Sequence, residues 1–263
     1  PPLRRQRPCQ FRRALARPPQ GRHRVASCQR LDQQVQGFGD AGLRLLNVRA
    51  LRPRSANAVR RRDALRQFQT LGIRTLCDFR DDKQKQKVPI DLPFSARANT
   101  ITTPISVSVL IRSALSGEKL TGTSARKILA DIYRSLVLDH ADAYKLFFNS
   151  LLDLGNYPLV FLCVAGKDRT GLAAALLLTA LGASRDAIFD DYLLSNTYWE
   201  MPTDVLTEED DDVRNAVFTA DSQYLDAAFT AISEHYGSTE RLLHDVLGLT
   251  PGHREQLLAY LVE

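Results

Sequence analysis

The chain of 263 residues is 44% hydrophobic, enough to bury one sizeable α/β core or a core with a small lid. Its formal net charge is +5, yet residues 1–30 hold nine arginines and no acid; the remainder stands near −4 and is not a basic nucleic-acid module. The longest apolar stretch after residue 170, Gly171 to Ala183, is shorter than the roughly 20 residues that cross a bilayer, which excludes a transmembrane helix there.

Residues 1–35 read as a basic, disordered tail: the leading part is rich in arginine, carries Pro1, Pro2, Pro8, Pro18 and Pro19, and has no apolar periodicity. It shows no signal-type apolar run, so the cytoplasm is the expected compartment, with secretion or organelle targeting by the tail left open. Residues 36–263 read as a single domain. Asp63 to Leu71 suits a helix, and Ile73 to Phe79 suits a strand by its β-branched and aromatic content. Asp81-Asp82-Lys83-Gln84-Lys85-Gln86-Lys87 is a charge run whose usual place is the solvated surface. Asn99 to Ile105 is the next strand, and Ser106 to Gly122 a connector. Ser124 to Val137 and Ala141 to Leu154 read as amphipathic helices. Pro158 to Leu162 is apolar without alternation, as in a buried parallel strand. From Thr170 the chain is apolar on most faces, the mark of a central buried helix. Further helices are expected over Arg185 to Asn196, Ser222 to Tyr236 and Ser238 to Leu247. One more starts at Thr250-Pro251, where threonine caps and proline suits the first turn. Glu208 to Asp212 reads as an exposed acidic stretch. Strands alternating with helices predict an α/β fold: a mostly parallel central sheet flanked by helices, with a helical C-terminal part.

The segment Leu162-Cys163-Val164-Ala165-Gly166-Lys167-Asp168-Arg169-Thr170-Gly171 sits between that strand and the buried helix, and sets a cysteine and an arginine at the ends of a C-x5-R loop. A helix N-terminus has unpaired N–H groups and a positive dipole end, so the loop is a ready anion site. Cys163 is the candidate nucleophile, acting as a thiolate on phosphorus. Arg169 offers a planar fork to two phosphate oxygens. Gly166 lets loop amides turn inward as a nest to which Val164, Ala165 and Lys167 also contribute. Thr170 suits a hydroxyl donor to the sulfur or a helix cap. Asp168 is the only carboxyl in the loop and the nearest candidate general acid, with Asp40, Asp78, Asp81 and Asp82 as upstream alternatives. A Walker-type loop is excluded by the glycine spacing and by Asp168 following the lysine. The four cysteines (Cys9, Cys28, Cys77, Cys163) show no paired metal spacing; neither a metal nor another cofactor is expected, and a reducing compartment is. Cys77 reads as core, or as a disulfide partner for Cys163 if their strands are neighbours.

These residues resemble the bacterial tyrosine phosphatases with the signature H-C-x-x-G-K-D-R-T-G, the atypical dual- and triple-specificity group. Leu71-Gly72-Ile73-Arg74-Thr75-Leu76-Cys77-Asp78-Phe79-Arg80 is similar to that family's L-G-I-x-T-h-h-D-L-R strand, where h is apolar. Asp191-Tyr192-Leu193-Leu194-Ser195-Asn196 is similar to its D-Y-L-x-S/T-N segment, and Arg54-Ser55-Ala56 to a short R-S-A/S element. The resemblance spans about residues 36 to 263. It implies a cysteine phosphatase-like fold and, through a cysteinyl phosphate, hydrolysis of phosphotyrosine, extending to phosphoserine, phosphothreonine or phosphoinositides. It implies Asp168 as the acid and links the loop lysine to lipid substrates. Two departures stand out. Leu162 replaces the family histidine, and Gly37-Phe38-Gly39-Asp40-Ala41-Gly42 stands where the family has N-F-R-D-h-G, without its asparagine and arginine but with Asp40 kept as a possible accessory carboxylate.

Other readings stay open on the residues alone. Leu162 favours a phospho-ligand binder that turns over slowly or not at all. A sulfurtransferase or arsenate reductase also uses a thiolate loop, but Lys167, Asp168 and the lack of a nearby resolving cysteine weigh against one. A cysteine peptidase would need a histidine partner, and His23, His140, His235, His244 and His253 form no such motif; they read as surface or helix residues. The expected partner is a phosphoprotein or phosphoinositide substrate; oligomeric state is not legible.

Overall fold

The structure, a computed structural model, describes residues 25–27 (backbone only), 72–87, 89, 98–107, 120–198 and 211–261. The expected helix over Asp63 to Leu71, the Arg54-Ser55-Ala56 element, Asp40 and most of the connector from Ser106 to Gly122 lie outside those residues.

Four strands form one parallel sheet: β1 (Val25–Ser27), β2 (Thr75–Asp78), β3 (Asn99–Thr102) and β4 (Leu159–Leu162), in the order β1-β4-β2-β3. The two central strands, β2 and β4, are buried at every position, which is why Pro158 to Leu162 shows no polar alternation. Their register sets Cys77 beside Phe161 and Asp78 beside Leu162. β1 falls inside the segment read from sequence as a tail, and pairs Val25 to Ser27 with Leu159 to Phe161.

The helices are α1 (Asp82–Lys87), α2 (Gly122–Leu138), α3 (Ala141–Leu151), α4 (Arg169–Ala180), α5 (Arg185–Leu193), α6 (Ser195–Tyr198), α7 (Asp211–Phe218), α8 (Ser222–Tyr236), α9 (Thr239–Arg241) and α10 (Pro251–Leu261). A wider turn, Leu242–Val246, follows α9 directly. The expected helices that fall on described residues are present, and α10 starts as anticipated, with Thr250 Oγ1 accepting from His253 N at 3.2 Å. Two helices were not anticipated. The charge run holds α1, and the described end of the acidic stretch, Asp211 and Asp212, opens α7. Asp211 and Asp212 sit at the positive end of α7, while Val213 and Ala216, three apart, pack on Ala125 of α2. The density of charge hid that short apolar spacing.

α4 runs through the core with ten of its twelve residues buried. Its C-terminal carbonyl at Ala180 accepts from Arg254 Nε of α10 at 2.9 Å, which satisfies one orphan group of a buried helix end. Between α3 and the sheet lies an aromatic cluster: Phe147 stands 4.8 Å from Phe161 and 5.5 Å from Phe79, ring centre to ring centre. Phe79 follows β2, and Phe161 lies two residues before Cys163, so this packing fixes the floor of the loop. Cys77 faces the same layer. Ser150 gives its one proton to the Phe147 carbonyl (2.6 Å), so Cys77 donates its S–H to Ser150 Oγ (3.2 Å). Burial pushes this thiol up to about 12, keeping it protonated and inert. Strand spacing and rise put Cys163, two residues past Phe161, about 8 Å diagonally from Cys77, beyond disulfide reach. No helix among the described residues is long and apolar enough to cross a membrane.

Candidate active site

The loop joins the end of β4 to the start of α4. Phe79 N donates to Leu162 O at 2.9 Å, extending the sheet ladder to the residue before the cysteine. Cys163 is buried, and its sulfur accepts the Gly166 N–H at 3.3 Å. Gly166 can give that bond because it holds φ +72°, a conformation in which a side chain is strained. Gly171 N to Lys167 O (3.0 Å) and Leu172 N to Asp168 O (2.8 Å) close the first turn of α4. The preceding amides therefore stand at the positive end of a buried helix. Val164 is exposed and Ala165 half-buried, leaving small apolar side chains on the outer rim. Leu162 is buried as the last residue of β4.

Arg169 is 6% exposed and held by three neutral acceptors, each from a different segment. Nη1 donates to Gln84 Oε1 of α1 (2.8 Å), to Ile105 O after β3 (3.0 Å) and to Phe79 O after β2 (3.3 Å). All three converge on one nitrogen. Nη2 and Nε, the other side of the fork, have no protein acceptor among the described residues. A buried cation satisfied on one side by uncharged groups retains its charge for an anion on the other.

Sequence reasoning missed Gln84 by assigning its segment to the surface. A usable signal was present: Asp81-x-x-Gln84 has the spacing of a capping box, and Gln84 N donates to Asp81 Oδ1 at 2.8 Å. In such a box the glutamine side chain would turn back to its own helix start; here it reaches Arg169 instead.

The side chain of Lys167, a residue of the expected phosphate nest, is anchored on α7. Its ammonium donates to Val217 O (2.8 Å) and Thr219 O (3.2 Å), the orphan carbonyls at the end of α7, and lies 3.4 Å from Asp168 Oδ1. Asp168 is partly exposed, and its Oδ1 also accepts the Tyr133 phenol of α2 at 3.0 Å. Tyr133 in turn meets Tyr192 of α5, oxygen to oxygen, at 2.7 Å. Thr170 Oγ1 is fully buried and has no partner among the described residues, so it is placed as a free donor and not as a cap.

Among the alternative acids, Asp78 is occupied. Both its oxygens are taken by Arg80 Nε and Nη2 at 2.8–3.2 Å and by the Arg80 amide at 2.9 Å, a buried structural pair. Asp81 and Asp82 cap and flank α1. Asn196, from the Asp191 to Asn196 segment, exchanges two 2.7 Å bonds with Ala220 and so fixes the entry to α8. Half-buried His140 is held below its usual pKa range, first by burial and also by the nearby Arg169 charge, against Asp139 and a Ser106 backbone bond. It stands at the start of α3, in the surroundings of the arginine, within the surface or helix positions read from sequence.

Residues 42–263 match the model of the tyrosine phosphatase family. A Cupriavidus necator protein named as a tyrosine-protein phosphatase is 31% identical over 191 residues, covering 70% of this chain and 68% of that protein. The triple specificity protein phosphatase PtpB of Mycobacterium tuberculosis is 31% identical over 139 residues, 46% of this chain and 50% of its own length. The family match covers most of the chain and includes the whole loop: the chain belongs to the tyrosine phosphatase family and is a cysteine-dependent protein-tyrosine phosphatase.

Proposed function

We propose that phosphomonoesters are hydrolysed here through a cysteinyl phosphate on Cys163. The observation that carries the reading is the Arg169 fork, buried, still charged and hydrogen-bonded on one side only among the described residues, at the head of a helix whose loop carries a buried thiol. The thiolate attacks phosphorus; a phosphorus–sulfur bond forms, the ester oxygen leaves and Asp168 supplies its proton. Arg169 Nη2 and Nε, with the loop amides from Val164 to Lys167, hold the phosphoryl oxygens, and Thr170 Oγ1 supports the sulfur as it departs. Water then attacks phosphorus, the electron pair returns to sulfur, and Asp168 takes the water proton. Lys167 serves first as the strut that holds the loop against α7.

The expected substrates are phosphotyrosyl proteins, with phosphoserine, phosphothreonine and phosphoinositides as extensions; the similarity to a triple specificity phosphatase supports that wider range. We read residues 36–263 as one catalytic domain whose sheet also takes in β1, with Asp40 as an accessory carboxylate and Leu162 in the place of the family histidine. The test is hydrolysis of an aryl phosphate, then of a panel of phosphopeptides and phosphoinositides, by the wild type and Cys163→Ser. Turnover lost in Cys163→Ser supports the reading. Phosphate binding without Cys163-dependent turnover identifies a binder instead, and wild-type rates in Cys163→Ser overturn the mechanism.

A further inference from the structure

Tyr133 Oη lies between two oxygens, Asp168 Oδ1 at 3.0 Å and Tyr192 Oη at 2.7 Å. A phenol has one proton, and a carboxylate only accepts. Tyr133 therefore donates to Asp168, and Tyr192 donates to Tyr133. The direction of the chain is fixed: α5 to α2 to the loop.

Both phenols are buried and lie edge to face, ring centres 6.1 Å apart. Burial pushes both well above the ordinary tyrosine range, with the Asp168 charge adding to it, so each keeps its proton while the enzyme works. On the carboxylate itself, the Tyr133 hydroxyl and the Lys167 ammonium (3.4 Å) both gather at Oδ1. Oδ2 has no partner among the described residues.

We propose that Tyr133 and Tyr192 form a positioning relay that reserves Oδ1 of Asp168 for the protein and leaves Oδ2 to carry the proton exchanged with substrate and water. The inference rests on Asp168 acting as acid and base in the proposed reaction. In the first step the S–P bond forms, the P–O bond breaks, and the proton on Oδ2 passes to the leaving oxygen. The carboxylate so formed is met by a hydroxyl already aligned to it. In the second step the O–P bond forms, the S–P bond breaks with its electron pair returning to sulfur, and the water proton goes to Oδ2. The tyrosines keep their own protons throughout; they set which oxygen acts and hold it still.

Leaving-group dependence separates this role from simple packing. Phenyl phosphate needs its leaving oxygen protonated, whereas 2,4-dinitrophenyl phosphate departs without help. Tyr133→Phe removes the hydroxyl and keeps the ring. It should lower kcat/KM for phenyl phosphate roughly tenfold, the scale of one hydrogen bond to a charged group, and change 2,4-dinitrophenyl phosphate less than about twofold. Tyr192→Phe should act in the same sense and more weakly, and it serves if Tyr133→Phe does not fold. In an Asp168→Asn background neither substitution should cost anything more. An equal fall for both substrates, no fall for either, or an undiminished loss in the Asp168→Asn background overturns the relay while leaving the phosphatase reading intact. If wild-type turnover of phenyl phosphate does not depend on Cys163, the parent reading fails and the relay with it.

Discussion

Replacing Gln84 by leucine keeps the side-chain bulk and removes the acceptor 2.8 Å from Arg169 Nη1. The carbonyls of Ile105 and Phe79 remain at 3.0 and 3.3 Å, so the guanidinium stays in its slot but loses its shortest tether. A hydrogen bond to a charged group is worth about 1.5–3 kcal/mol, and the half-exposed position of Gln84 argues for the lower end. If that energy goes into aligning the fork for the phosphoryl oxygens, kcat/KM falls about tenfold, since 1.36 kcal/mol is one decade in rate. Stability should barely change, because α1 buries none of its residues. The assay is steady-state hydrolysis of an aryl phosphate with inhibition by inorganic phosphate, read beside the melting temperature. Kinetics and phosphate affinity both unchanged in a folded Gln84→Leu protein would refute the reasoning and leave the two carbonyls as the whole support of Arg169.

Arg169→Lys should be more severe than Gln84→Leu, at least a hundredfold in kcat/KM, because an ammonium cannot supply the two-pronged grip; near-normal kinetics would mean the loop does not hold the phosphoryl group. Leu162→His should raise turnover by the equivalent of about 1–2 kcal/mol if an imidazole there orders the loop, and lower Tm if the ring finds no partner in its buried site. Unchanged turnover with unchanged Tm would make leucine a neutral replacement. His140 is held below its usual range by burial, so the unfolded chain takes up its proton at higher pH than the folded one. Stability is then whole above about pH 6.5 and is lost as pH falls toward the lowered folded value. His140→Asn should flatten that acid slope in Tm measured against pH, and an unaltered slope counts against the assignment.

The loop was legible because its chemistry is local. Cys163, Gly166 and Arg169 lie within seven residues, and the flanks announce themselves by composition: an apolar run too short for a helix, then leucine and alanine on every face. The parallel sheet followed from the same alternation of strands and helices. What the letters did not carry is what reaches the loop from elsewhere. Gln84 lies 85 residues from Arg169 and looked like one polar residue in a charged run. Tyr133 is 35 residues from Asp168, and its hydroxyl meets the loop only once α2 has packed. Tyr192 stood inside a segment whose family likeness was visible but whose task was not. Lys167 was read as part of the nest of loop amides, and the hold that the end of α7 has on its ammonium was concealed by Asp211 and Asp212.

Lys167 grips main chain: its two acceptors are the carbonyl oxygens of Val217 and Thr219. Every amino acid presents the same oxygen, so this strut is indifferent to spelling at 217 and 219. It is sensitive to count. One residue inserted or removed near the end of α7 rotates the terminal carbonyls by about 100° around the helix axis and carries both oxygens away from the ammonium together. The join between the C-terminal helices and the phosphate loop thus tolerates substitution and resists changes of length.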